Sequence, residues 1–301
     1  MARKTTVLIT GCSPGGIGHA LALEFHRRGC HVIATARRPE VLVGLDSMGI
    51  STLQLDVTDD ESVARCRDEA RALLVDGKLD VLVNNAGSFH VAAALDDEME
   101  SAKAMFDVNV FGVMRMCKVF VDLLIPARGL IVNVSSVLAI MPLILTSVYS
   151  SSKAALDQYT AVLRRELEPF HVRIMLIQAG GVKTCISRDG GYTLPTNSRY
   201  AVARDVYDLF ANNLQKVMSM PADRFAARVV GAALGEPRLG GLLGGTPDRL
   251  WKGNLSFVTW VYQLSFVPTW VRRLILNAID KNYRMTWLIQ EAHSRDKLHQ
   301  P

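Results

Sequence analysis

Along the first 180 residues, short apolar runs alternate with longer stretches of mixed polarity at helical spacing. "TTVLIT" (5–10) reads as a strand and "GHALALEFHRRG" (18–29) as the helix after it. In that helix Ala20, Leu21, Leu23 and Phe25 form an apolar stripe, and Gly29 supplies a C-terminal stop. "HVIATA" (31–36) and "STLQLDV" (51–57) predict two more strands, "ESVARCRDEARALLVDG" (61–77) an amphipathic helix, and "LDVLVNNAG" (79–87) a strand entering a turn. A long helix around 99–124, the strand "GLIVNVSS" (129–136), a helix from about 147 to 168 and the strand "VRIMLIQAG" (172–180) complete the series. Strands that are nearly continuous apolar runs are buried on both faces, as parallel strands between helix layers are. Right-handed crossovers then give an α/β fold: a doubly wound parallel sheet in three αβα layers. Ligands of such sheets bind beyond the carboxyl ends of the strands.

The glycines of "VLITGCSPGGIG" (7–18) stand at the first such end. Gly11 and Gly16 have the spacing of a triphosphate loop, but Ile17 and Gly18 replace its lysine and hydroxyl. Glycines crowding a strand-to-helix turn instead suit a dinucleotide. The second strand ends in Ala36, where an acid would grip the ribose hydroxyls of NAD, and Arg37 and Arg38 follow at once. Guanidinium groups there suit the 2′-phosphate of NADP(H), against the plainer reading of two solvated arginines. Tyr149 and Lys153 share one face of the helix begun at 147. An ammonium beside a phenol favours the tyrosinate, which predicts a Tyr149 pKa lowered from ~10 toward working pH and a proton relay to a substrate oxygen.

Composition adds limits. The chain has 301 residues, 49% hydrophobic and 21% charged, enough for one large domain with a substantial core. A net charge of +5 without a basic run gives no nucleic-acid groove. Five widely spaced cysteines (12, 30, 66, 117 and 185) without a CxxC pair argue for reduced thiols and against a disulfide frame or a metal site. With "MARKTT" lacking a signal-peptide apolar region, the expected location is cytoplasmic.

Taken together, "TGCSPGGIG", "NNAG" (84–87), Asn109 in "FDVNVFG", "VSS" ending at Ser136 and "YSSSK" resemble, in order, the short-chain dehydrogenases/reductases over about residues 5 to 245. The resemblance implies a Rossmann-type catalytic domain (1–245, with a substrate lid at about 185–225) and an Asn109–Ser136–Tyr149–Lys153 catalytic set. It implies Tyr149 as general acid/base, Ser136 as the group polarising the carbonyl, and Lys153 as the ligand of the nicotinamide ribose. It gives Asn109 a water of the proton relay to hold. For the cofactor it implies NADP(H) held by Gly11, Ser13, Gly16, Ile17, Gly18, Arg37, Arg38, Asp56, Val57, Asn84, Ala86, Gly87, Tyr149, Lys153, Val182 and Thr184. The glycine loop is one residue longer than the family's TGxxxGxG, with the extra residue within Cys12–Gly15. Ala179-Gly180 stands where the family has Pro-Gly. A homodimer or homotetramer is the implied assembly.

"VLAIMPLILTSV" (137–148), between Ser136 and Tyr149, predicts either an apolar substrate wall or packing under the lid. Arg188, Arg199 and Arg204 are candidates for an anionic head group. The extension 246–301 holds a tryptophan-rich run from Trp251 to about 275 without charge between Lys252 and Arg272. Pro268, Asn254 and Gln263 disfavour a membrane span, leaving an interfacial helix on a membrane or lipid droplet (endoplasmic reticulum included), or helices capping the pocket or forming a dimer face. Loop and tail look most similar to fungal NADPH-dependent 1-acyldihydroxyacetone-phosphate reductases and related secondary-metabolism ketoreductases. Three functions follow for test: reduction of a lipophilic ketone, the same chemistry on a polyketide or terpenoid, or a cofactor-binding lipid-surface protein with idle chemistry.

Overall fold

A computed structural model describes residues 3–184, 194–217, 220–235 and 245–298. Seven strands, β1 (Thr6–Ile9), β2 (His31–Ala36), β3 (Ser51–Gln54), β4 (Val81–Asn84), β5 (Leu130–Ser136), β6 (Arg173–Ala179) and β7 (Arg249–Lys252), form one sheet in the order β3-β2-β1-β4-β5-β6-β7. Every pairing is parallel. Alternate residues of one strand serve opposite faces: Val7 and Ile9 pack with α1 (Ile17–Arg27) and α7 (Ala222–Ala233), through Leu21, Phe25 and Val229. Leu8 faces the other layer, where α2 (Asp60–Leu73), α4 (Gly112–Leu124) and α5 (Ser147–Leu167) supply Cys66, Phe120 and Leu156. Strand order reverses between β1 and β4, so the crevice for a ligand opens beyond their carboxyl ends.

Most boundaries follow local chemistry. Asp59 caps α2 by accepting from the backbone N–H groups of Glu61 and Ser62, both at 3.2 Å. β3 is shorter than its apolar run because Asp56 turns back, its Oδ1 accepting from Thr58 N at 3.0 Å and Thr58 Oγ1 at 2.7 Å. The long middle helix is α3 (Met99–Phe106) and α4 joined by one π turn, Asp107–Phe111, which contains Asn109.

The C-terminal segment differs most from expectation. The boundary at 245 cuts the sheet, since β7 pairs with β6 from Leu176↔Arg249 to Ala179↔Lys252. Three helices follow: α8 (Ser256–Tyr262), α9 (Thr269–Asp280) and α10 (Asn282–Leu298); α6 (Arg204–Val217) precedes β7, within the stretch expected as a lid. β7 escapes pattern reading because "RLWK" has four residues, only Leu250 of them buried. Ala179 stands in place of the family proline, and Gly180 after it has a close neighbour. Its N–H donates to Lys252 O at 2.7 Å, and a Cβ at Gly180 would collide with the Asn254 carbonyl.

Candidate active site

The glycine loop begins at the end of β1. Cys12 is buried, its N–H donating to Thr35 O at 2.8 Å, so the extra residue of the loop sits further out. The turn Ser13–Gly16 is closed by Gly16 N to Ser13 O at 3.1 Å, with Pro14 second and Gly15 third at φ +74°, a type II pattern. The insertion is therefore an exposed turn, and Ser13 lies on it. Gly16 precedes α1 with no side-chain cap and no acid in the first turn, leaving the N–H groups at Ile17 and Gly18 as a seat for an anion. Gly11 has φ +75°, and a Cβ on Gly18 would strike Gly11 O and Asn85 Nδ2, so the cradle is pressed against β4. These donors and this close backbone fit a pyrophosphate.

Asn85 fastens that cradle, donating from Nδ2 to Thr10 O at 2.8 Å and Gly11 O at 3.0 Å. Thr10 Oγ1 accepts from the backbone N–H groups of Asn85 at 3.0 Å and Ala86 at 2.9 Å. Both residues stand inside the motifs "NNAG" and "TGCSPGGIG", but these side-chain roles escaped the sequence reading. Asn84 points elsewhere: its side chain is buried in the sheet, donating to Asn133 Oδ1 at 2.9 Å, so its backbone alone is near the crevice. Arg37 and Arg38 are exposed at the end of β2, and neither guanidinium has a partner among the described residues. Asp56 is committed to its own turn. Val57 is buried against the Gly112 backbone. Val182 is buried and bridged to Met220, and Thr184 is partly buried beyond β6.

The four proposed catalytic side chains meet where β4, β5, the π turn and α5 converge. Asn109 is fully buried, accepting Ser88 N at 2.8 Å and donating to Ser88 O at 2.9 Å and Ser152 Oγ at 3.0 Å. A Cβ on Gly87 would stand 3.3 Å from Asn109 Oδ1 and 3.7 Å from Lys153 Nζ, which places this glycine between them. Lys153 Nζ donates to Val134 O at 3.0 Å and lies 5.8 Å from the centre of the Tyr149 ring. Phe89 meets that ring edge-on at 4.7 Å. Ser136 Oγ accepts from Leu138 N at 3.1 Å and is hydrogen-bonded to Tyr149. Ser135 turns away and donates to Asp157.

Here the electrostatics depart from expectation. Burial pushes the Tyr149 hydroxyl up to about 12, the bond with Ser136 pulling weakly the other way. Burial also lowers Lys153 to about 8, with Asp157 opposing it. Desolvation outweighs the ammonium, so Tyr149 is a neutral phenol at working pH rather than a near-tyrosinate. A neutral phenol is the form that gives a proton.

The apolar segment 137–148 is covered. Met141, Leu143 and Leu145 are buried with Val91, Tyr207 and Phe210, against Ile275, Leu276 and Ile279 of α9. Met285, Leu288 and Ile289 of α10 pack on Ala203, Val206 and Ile144. Asp280, buried at the α9–α10 corner, accepts from Asn282 N at 3.0 Å and Ile144 N at 3.4 Å. The extension thus covers the apolar segment between Ser136 and Tyr149. Arg204 donates to Leu194 O at 3.3 Å, Arg199 is exposed, and Arg188 lies outside the described residues. Among the described residues no three His, Cys, Asp or Glu side chains form a metal site, and no helix is long and apolar enough to cross a membrane.

A parallel doubly wound sheet, an anion cradle after its first strand and a Ser–Tyr–Lys centre at its switch point define a dinucleotide-dependent oxidoreductase. The family model described as short chain dehydrogenase matches residues 5–192, and the chain belongs to that family. The short-chain dehydrogenase srdE of Neurospora crassa is 44% identical over 239 residues, 78% of this chain and 81% of that protein. The NADPH-dependent 1-acyldihydroxyacetone phosphate reductase of Schizosaccharomyces pombe is 41% identical over 263 residues, covering 85% and 88%. Among solved structures, a short-chain dehydrogenase from Streptomyces avermitilis superposes with TM-score 0.75 at 27% identity, covering 94% of this chain and 98% of its own. One from Burkholderia cenocepacia, in complex with NADP, gives 0.69 at 25% identity, covering 92% and 97%.

Proposed function

We propose that the protein reduces a ketone on a lipophilic substrate to a secondary alcohol, or runs the reverse, using NADP(H). The observation that carries this reading is the convergence of Ser136, neutral Tyr149 and charged Lys153 beside an apolar wall. Arg37 and Arg38, without a side-chain partner among the described residues, are the ligands proposed for the 2′-phosphate. The glycine cradle takes the pyrophosphate, Asp56 and Val57 flank the adenine, and Val182, Thr184 and Gly87 flank the nicotinamide. Bound NADPH supplies the hydride. Ser136 donates a hydrogen bond to the substrate oxygen, Tyr149 delivers its proton there, and Lys153 supports the tyrosinate that results. Asn109, held on Ser88 and Ser152, keeps the π turn in place and orders a water beside Lys153.

1-Acyldihydroxyacetone phosphate is the leading substrate, in line with the activity named for the Schizosaccharomyces pombe relative. A polyketide or terpenoid ketone is the second reading, favoured by the absence of any charged side chain in 137–148 to meet a phosphate. The capping helices also support contact with a lipid surface. Phe257, Trp260, Phe266, Trp270, Tyr283 and Trp287 are exposed, and Asp280, the one acid between residues 252 and 290, is buried.

NADPH oxidation with acyl-dihydroxyacetone phosphate and a panel of apolar ketones, with and without liposomes, tests these readings together. Turnover of the phosphate ester, enhanced by liposomes, is expected. Turnover of bulky neutral ketones alone, indifferent to liposomes, refutes the phosphate ester and the surface contact. Tyr149→Phe is expected to lower kcat by about 10²–10⁴-fold while NADPH still binds; retained turnover removes Tyr149 as the proton donor.

A further inference from the structure

One buried carboxylate beside the catalytic lysine has no part in the scheme above. Asp157 lies one helical turn beyond Lys153 on α5, as Lys153 lies one turn beyond Tyr149, so the three share a face. Its side chain is 13% exposed, and both oxygens are engaged. Ser135 Oγ donates to Oδ1 and Gln178 Nε2 to Oδ2. Arg249 Nη2, at the open edge of β7, stands 3.9 Å from Oδ2.

Three successive residues of β5 are fixed around this carboxylate. The Val134 carbonyl takes the Lys153 ammonium, Ser135 binds Asp157 while lying 3.4 Å from the Lys153 carbonyl, and Ser136 presents its hydroxyl to Tyr149. Gln178 fastens the same carboxylate to β6. We propose that Asp157 is a positioning residue: it braces the end of β5 and β6 against α5 and gives the Lys153 ammonium an internal counter-charge.

The electrostatic surroundings agree. Lys153 faces Tyr149 and Asp157 on its own helix, and on β5 and the β4 loop it meets the uncharged Val134 carbonyl and Gly87. Asp157 faces Lys153, Ser135, Gln178 and Arg249. Burial alone acts to strip the proton from Lys153, and the charge that works against it is Asp157.

Asp157→Asn keeps the shape and removes the charge, so the experiment is kcat and kcat/KM against pH for wild type and variant. With Lys153 at about 8 in the wild type, a fall of about one pH unit lowers activity about fivefold at pH 8 and hardly at all at pH 6. Tyr149 titrates too high to produce that limb. A loss that is equal at every pH, or none, overturns the proposal and makes Asp157 a packing residue. Should Asp157→Asn fail to fold, Arg249→Gln at the exposed edge probes the same balance with the opposite sign. It removes a cation, so the alkaline limb moves up, and a downward move overturns the proposal. The inference rests on the ketone reduction proposed above. If the wild type turns over no ketone, that reading fails, and NADPH affinity over the same pH range, read by fluorescence, still decides the role of Asp157.

Discussion

Arg37 is the single position proposed to separate two cofactors. An exposed guanidinium without a protein partner contributes little to stability, so replacing it leaves the fold unharmed. In the proposed site its contribution comes through charge-assisted bonds to the 2′-phosphate. Arg37→Ala is expected to weaken NADPH by about tenfold or more (~1–3 kcal/mol) and NADH much less, measured by fluorescence titration of each. Equal weakening of both removes Arg37 from the phosphate site. Residues of this kind were legible in the sequence because their chemistry is local: a basic pair where an acid is expected, a tyrosine one turn from a lysine. Asn85, Thr10 and Asp157 were not. Their roles depend on distant partners, 76 residues away in the bond from Ala86 N to Thr10 Oγ1 and farther still between Asp157 and Arg249, and spacing along the chain carries no trace of such pairs. The Tyr149 pKa was misread for a related reason. The neighbouring charge is visible in the sequence, whereas the desolvation that outweighs it appears only in three dimensions.

Among the elements, apolar periodicity marked six of seven strands and the helices between them, since each is buried by its own residues. β7 has no such signal and owes its place to the backbone approach of Gly180 and Gly253, the latter at φ +105°. The π turn at Asp107–Phe111 is also silent in the pattern, because the widened turn keeps apolar residues inward. It swings Asn109 into the site, as such bulges commonly do. The α9–α10 corner hangs on Asp280, whose carboxylate accepts from both Asn282 and Ile144. Asp280→Ala is expected to release that corner. Hydrogen exchange then speeds up in α9 and α10 while β1, β4 and β5 keep their protection; unchanged exchange in the two helices means the apolar contacts alone hold them.

At the scale of the molecule, the extension and the sheet cannot be treated as separate units. Met141, Leu143 and Leu145 are buried against α9 as well as Tyr207 and Phe210 of α6, so a chain ending after β7 leaves that wall open to water. Deleting residues 253–301 is expected to give a protein that aggregates and loses ketone turnover together, followed by light scattering and NADPH oxidation. A soluble, active truncation shows that the wall needs no cover. The sequence left the extension with three readings, pocket cap, dimer face or surface helix, because a tryptophan-rich run with few charges suits each. In the fold Ile275, Leu276 and Ile279 turn to the wall, while Trp270, Leu274 and Trp287 turn to solvent.

The same arrangement sets a timetable for synthesis. Ile144 lies in the middle of the chain and its partner Asp280 near the end. At about 5–20 residues per second, the wall emerges from the ribosome on the order of ten seconds before the helices that cover it. For that interval the nascent chain carries a bare apolar strip beside a half-built parallel sheet, the kind of surface on which chaperones act during translation rather than after release.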